Sequence, residues 1–259
     1  MRKLLAGLGV VLFIGACAGG AVPGLMMATP APALPTATSP YIVAAVTDSR
    51  RPEADTTRDA LRHPAEIMAF TGIQPGWRIA DIGPGGGYYS RLFAVAAGDG
   101  GQVYAVDRPG TAERPRPMAT VAPLYGNITH LTTGYDTWSA GAPLDAIFIS
   151  QIYHDFYLPV FHFDVPAMNR AMFAALKPGG VLVIIDHAAV DGSPITVTDS
   201  LHRIDRAQVI ADLTAAGFVL QEETDVLRNP ADNRTERVFE SDIRGHTDQF
   251  ALRFVKPAN

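Results

Sequence analysis

Residues 181–186, VLVIID, are apolar on both faces of an extended chain and end in an acid. A strand of that kind needs cover on two sides, which a parallel sheet between helix layers supplies. The pattern recurs along the chain. WRIADIG (77–83), QVYAVD (102–107), NITHLTT (127–133) and the start of LDAIFISQIYHD (144–155) read as further strands. Between them PAEIMAFTG (64–72), GYYSRLFAVAAG (87–98), VPAMNRAMFAALKPGG (165–180) and DRAQVIADLTAAGF (205–218) read as helices. Pro64 suits a first turn, Gly98 and the Pro178–glycine pair suit stops, and Asp205 suits an N-cap. FVLQEETDVLR (218–228) and TDQFALRFVKP (247–257) read as late strands with no helix between them, able to pair as an antiparallel hairpin. The alternation predicts an α/β, doubly wound sheet of seven strands, mainly parallel with the last strand antiparallel. Ligands of such sheets bind beyond the carboxyl ends of the strands.

The N-terminal part reads differently. Arg2 and Lys3 precede the uncharged run LLAGLGVVLFIGACA, as in an export signal. Three fates stay open: cleavage after Ala33, lipidation at Cys17 in a lipobox-like IGAC, or an uncleaved anchor. The expected division is a signal or lipoprotein anchor over 1–33, a linker and N-terminal extension over 34–59, and one folded domain over 60–259. The expected location is outside the cytoplasm, periplasmic or membrane-anchored, with membrane contact only through that leader. Cys17 is the chain's single cysteine, so the folded domain has no disulfide. A net charge of -5 without any basic run argues against a nucleic-acid partner.

The segment IADIGPGGGYYSRL (79–92) places glycines between a strand and a helix. Such a turn offers backbone N–H donors, a positive helix end and close approach to a ligand. The dinucleotide fingerprint needs glycines at offsets 0, 2 and 5. Here Gly83, Gly85 and Gly87 take offsets 0, 2 and 4, and Tyr88 stands at 5. Asp81 just before the turn would repel a pyrophosphate and attract a cationic aminoacyl group. Asp107, at the end of the next strand, is placed to accept hydrogen bonds from a ribose. One carboxylate for an amine and one for a ribose suit S-adenosylmethionine better than NAD.

These residues resemble motif I of the class I S-adenosylmethionine-dependent methyltransferases, which have a Rossmann-like fold. YAVD is similar to the acidic end of their second strand, and LKPGGVLVIID to their turn into strand five. Within that superfamily the YHD, LHR and LRNP segments resemble a group of bacterial predicted methyltransferases. The resemblance implies that Asp81, Gly83, Gly85, Gly87 and Asp107 bind S-adenosylmethionine. It further implies Asp136 near the adenine, and Ser150 and Gln151 beside the methionine portion.

Four segments are expected to face the cleft: QIYHDFY, DHAA, SLHRID and GYDTW. Methyl transfer to a hydroxyl needs a positioned acceptor and a base, and histidine is a natural base. His154 with Asp155, and His187 beside Asp186, are the candidate catalytic residues, with the two imidazoles facing each other across the acceptor. His202 is a further candidate, and Arg203 could bind an acidic group or pair with a nearby acid. Three histidines and two acids could also hold a metal, but no metal-helix spacing such as HExxH is present, so no metal is assigned. The expected activity is methyl transfer to a small-molecule acceptor. The alternative is an exported binding or scaffolding protein that keeps the fold without the chemistry.

Overall fold

The computed structural model describes residues 34–258; the expected leader, with Cys17, lies outside them. The described chain forms one unit. Its helices are α1 Pro40–Val46, α2 Glu53–Thr56, α3 Asp59–Arg62, α4 Pro64–Thr71, α5 Tyr88–Ala97, α6 Met118–Val121, α7 Val165–Ala175, α8 Val197–Leu201 and α9 Arg206–Ala215. Its strands are β1 Arg78–Ile82, β2 Gln102–Asp107, β3 Ile128–Thr132, β4 Leu144–Ser150, β5 Leu176–His187, β6 Val219–Thr224 and β7 Gln249–Val255. They make one sheet in the order β3-β2-β1-β4-β5-β7-β6. β1 to β5 run parallel, and β7 is inserted antiparallel to both β5 and β6. No described helix is long and apolar enough to cross a membrane.

The period-2 alternation splits the core into two layers. Ile79, Val103, Phe148, Val183 and Ile185 face α1, α4 and α5, while Ala80, Ile82, Ile147, Ile149 and Ile184 face α7 and α9. Burial of a side chain of this size contributes about 1.5–3 kcal/mol, so the two-sided strands hold the sheet flat against both helix layers. Asp205 caps α9 as expected, its side chain accepting from the Ala207 N–H.

Two expectations are corrected. The helix expected over 165–180 ends at Ala175, because Leu176 already pairs with Leu144 and the bulge that follows carries LKPGG into β5. The segment 34–59 is more than a linker. α1 buries Ile42 and Ala45 against α5, and Asp55 and Asp59 bind Arg91 and Tyr88 of the same helix.

Candidate active site

β1 and β2 end side by side, with Asp81 paired to Ala105 and Ile82 to Val106. This brings the glycine turn next to Asp107. The Gly83 N–H donates to Val106 O at 2.9 Å, and Gly87 at φ +83° starts α5. A Cβ on Gly83 would overlap Ile152 Cδ1, whereas a Cβ on Gly85 would meet nothing within 4 Å. Gly85 therefore opens onto a cavity of about 220 Å³ lined also by Asp81, Ser150, Gln151, Arg58 and Arg62. The structure brings together the predicted Asp81, Gly83, Gly85, Ser150 and Gln151. Gly87 is turned instead toward Met118 Sδ, 2.7 Å from its notional Cβ, and acts as the helix cap.

Asp81 is buried and accepts from Ser90 Oγ at 2.5 Å. Burial, with Asp107 nearby, pushes its carboxyl up to about 7. Asp107 is also buried, and among the described residues its carboxylate accepts no hydrogen bond. Arg116 Nε and His130 Nε2 stand 3.6 Å from it, and both are buried without hydrogen-bond partners among the described residues. Buried polar atoms are normally satisfied, so these two nitrogens, beside a carboxylate that accepts no hydrogen bond, fit a ligand that brings hydroxyls. Asp136, like Gly87, does not line this cavity. It is exposed, and the buried residue of GYDTW is Tyr135, whose hydroxyl approaches Gly83. The Gly134 turn swings Asp136 outward.

A second cavity, of about 480 Å³, adjoins the first and shares Arg58, Arg62 and Gln151 with it. Gln151 sits at φ +61° and joins the two, accepting from Arg62 at 2.8 Å and donating to Gln249 Oε1 at 2.9 Å. His187, Val238, Phe239 and Arg244 complete the walls. His187 shares a hydrogen bond with Thr247 Oγ1 at 2.7 Å. Burial depresses its pKa to about 4, so the ring is neutral at neutral pH.

His154 does not face His187 across an acceptor. The ring centroids are 5.9 Å apart, in contact, and His154 is only 3% exposed. Its backbone N–H and its Nδ1 both bond the Asp186 carboxylate, at 2.8 and 2.7 Å. Burial opposes the charged ring, but the carboxylates of Asp186 and Asp155 outweigh it and hold the pKa at about 10. An imidazole in that state carries its protons and is not a general base. The reason is the short turn after β4, which folds His154 back onto the end of β5. Arg203 is fully buried and pairs with Asp232 at 2.8 Å, so it lies behind the wall and meets no acceptor.

The family model for protein-L-isoaspartate(D-aspartate) O-methyltransferases matches residues 37–187, more than half of the chain. The chain belongs to that methyltransferase family. A protein-L-isoaspartate O-methyltransferase 1 from Arabidopsis thaliana is 29% identical over 119 residues, covering 43% of this chain and 46% of the relative. A protein-L-isoaspartate O-methyltransferase from Ignicoccus hospitalis is 28% identical over 122 residues, covering 46% and 52%. The chain thus spans about half the length of the curated relatives it matches. Among solved structures, a SAM-dependent methyltransferase from Aquifex aeolicus has a TM-score of 0.55 at 19% identity, covering 82% of this chain and 97% of that one. An arsenic(III) S-adenosylmethionine methyltransferase from Chlamydomonas reinhardtii has a TM-score of 0.53 at 15% identity, covering 84% and 73%. The likeness to both is one of fold.

Within this methyltransferase fold, sequence reasoning missed Arg58, Arg62, Phe239 and Arg244. Arg58 and Arg62 come from α3 and its flank and lie over Tyr88 with guanidiniums 4.8 to 5.1 Å from the ring, whereas Arg244 comes from the connection between β6 and β7. A signal existed in RRPEADTTRDALR, a dense run of cations and acids just before the first core helix.

The Asp107 carboxylate makes a direct prediction. Asp107→Ala should weaken S-adenosylmethionine binding at least about tenfold, since a hydrogen bond to a charged group contributes about 1.5–3 kcal/mol. Calorimetric titration checks it; unchanged affinity would remove Asp107 from the site.

Proposed function

We propose that this chain is an S-adenosylmethionine-dependent methyltransferase that esterifies a carboxylate, with an isoaspartyl-type side chain in a peptide as the acceptor. The observation that carries this reading is the arginine-lined cavity beside the glycine turn. Arg58, Arg62 and Arg244 line it with no acidic side chain among its lining residues, Arg58 pairing at the same time with Asp55 at 2.6 Å. Guanidiniums bind carboxylates through short charge-assisted hydrogen bonds. The names of the matched relatives favour a protein acceptor over the small molecule expected from sequence.

The fit to S-adenosylmethionine rests on Asp81 for the ammonium, the Gly83–Gly85 turn for close approach, and Asp107 for the ribose. The chemistry the cofactor would supply is an electrophilic methyl group. The chain's residues then need only to position the acceptor in line with it. A carboxylate is already a nucleophile, so no general base is required. This agrees with a His154 locked between acids and a His187 that bonds Thr247. A guanidinium that holds one carboxylate oxygen leaves the other free to attack, and Val238 and Phe239 exclude water around it.

Transfer of labelled methyl to an isoaspartyl peptide, recovered as base-labile ester, tests the reading, with the matching aspartyl peptide and small dicarboxylic acids as comparators. Arg244 lines the acceptor cavity alone. Arg244→Ala should raise KM for the peptide about tenfold, in keeping with the loss of one charge-assisted bond, and leave cofactor affinity unchanged. A protein that binds the cofactor but methylates no carboxylate would overturn the proposal.

Asp81 adds a pH dependence. Its folded pKa, about 7, lies above the ordinary 3.8, so the free protein loses stability from this group as pH rises from about 4 to 7. A cationic aminoacyl group stabilises the carboxylate and reverses that preference. Affinity for S-adenosylmethionine should therefore climb with pH by up to about tenfold per unit below 7 and level off above it. Binding at pH 6 should release protons, measured as a dependence of the calorimetric heat on buffer ionisation enthalpy. A flat affinity between pH 5.5 and 7.5 would count against Asp81 as the ammonium partner.

A further inference from the structure

The YHD and LHR segments, separated by nearly fifty residues in the chain, converge on one point that the methyl-transfer reading does not use. The geometry points to a divalent transition-metal site formed by His154 Nε2, Asp155 Oδ1 and His202 Nδ1, in the wall behind the acceptor cavity. All three atoms lie within 4.8 Å of one another. Asp155 Oδ1 is 3.2 Å from His154 Nε2 and 3.4 Å from His202 Nδ1. Ligands at about 2.0–2.1 Å from a tetrahedral ion stand about 3.3–3.4 Å apart, so both measured edges match that spacing.

Three further observations favour a ligand set over an ordinary polar cluster. Neither histidine approach to Asp155 is aligned as a hydrogen bond, and Asp155 Oδ1 is buried without a partner among the described residues. A buried carboxylate oxygen left in that state is costly unless something completes it. Second, Asp186 takes up His154 Nδ1 at 2.7 Å. A carboxylate behind a histidine keeps the proton on Nδ1, so a metal that displaces the Nε2 proton finds that nitrogen oriented as its ligand. Third, His202 holds φ +53°, a conformation unfavourable for a non-glycine residue, and its ring stands edge-on to His154 at 5.5 Å.

Two imidazoles and one carboxylate select zinc or a neighbouring transition ion over magnesium, which prefers oxygen. Three protein ligands, with Asp155 and His202 partly exposed, leave a fourth position open on the solvent side. His202 packs on Phe239 at 4.8 Å and His154 on His187. A bound ion would thus stiffen the two walls of the acceptor cavity. One contact works the other way: Arg237 Nη2 lies 3.3 Å from His202 Nε2 and donates to it. With a metal on Nδ1 the proton moves to Nε2, and the exposed Arg237 side chain turns away.

Zinc chloride titrated into the protein by calorimetry, with magnesium chloride as comparator, tests the site. One zinc ion should bind per chain, with no comparable magnesium binding. His202→Ala should weaken it at least tenfold, as should Asp155→Asn. Asp186→Asn, a positioning change, should weaken it by about 10–100-fold. Arg237→Gln should bind zinc at least as tightly as the natural chain. Because His202 is partly exposed, its variant should stay folded, and circular dichroism confirms this. Absence of zinc binding, or zinc binding unchanged in both His202→Ala and Asp155→Asn, would overturn the proposal.

Discussion

The Gly85→Val variant should lose S-adenosylmethionine affinity by at least about 100-fold, or about 2.7 kcal/mol. The position is open, with nothing within 4 Å of a notional Cβ. A valine there meets no protein atom and projects into the space the ligand must fill. It also has to accept φ +55°, which a β-branched residue resists by about 1–2 kcal/mol. Gly141→Val separates the two effects, because Gly141 is exposed, has φ +70° and is equally open, but lies away from the cleft. It should show the backbone penalty in denaturant unfolding and leave cofactor titration unchanged. A Gly85→Val protein that still binds would move the cofactor away from the turn.

Arg203→Met should destabilise the domain by about 3–5 kcal/mol, the usual loss when one partner of a buried ion pair is removed. Arg203 is fully buried, donates to Asp232 through two nitrogens at 2.8 and 3.1 Å, and reaches Ala188 O and Glu236 O. Asp232 is tied in turn to the Asp248 and Arg234 N–H groups. The guanidinium thus pins the long connection between β6 and β7 to the end of β5. Urea unfolding measures the loss. Adding Asp232→Asn to Arg203→Met should recover a good part of it, because the stranded charge goes. A double variant no more stable than the single one would place the loss in packing instead.

The sheet was legible because its signals are local. QVYAVD matches β2 residue for residue, Pro64 and Asp205 mark helix starts, and the hairpin expected from 218–228 and 247–257 forms as β6 and β7. The juxtaposition of the candidate cofactor residues was legible for the same reason, since Asp81, the glycines and Asp107 belong to one strand–turn–helix–strand unit. The proposed acceptor end was not. Arg62 meets Gln151 across 89 positions, and His154 meets Asp186 across 32. No period or spacing encodes such contacts. His154 looked like a free base because it follows a strand; only the fold shows the carboxylate behind it. The packing of 34–59, read as a linker and N-terminal extension, was not legible either. Besides Ile42 and Ala45, that segment is held by ion pairs and by arginines over Tyr88, a kind of cohesion that hydrophobic patterning does not register.

The placement of β7 between β5 and β6 bears on how the protein is born. Every residue lining the glycine-turn cavity lies at or before Ile152, whereas the acceptor cavity waits for Gly245. The N-terminal strands leave the ribosome first, and long-range strand pairings are the slow ones. β6 has no neighbour until β7 arrives and slots in beside β5. On the reading proposed above, the donor cavity is therefore completed early and the acceptor cavity last. A molecule that stalls before that final insertion would, on that reading, hold a donor without discriminating among acceptors, and quality control of this chain amounts to getting one antiparallel strand home.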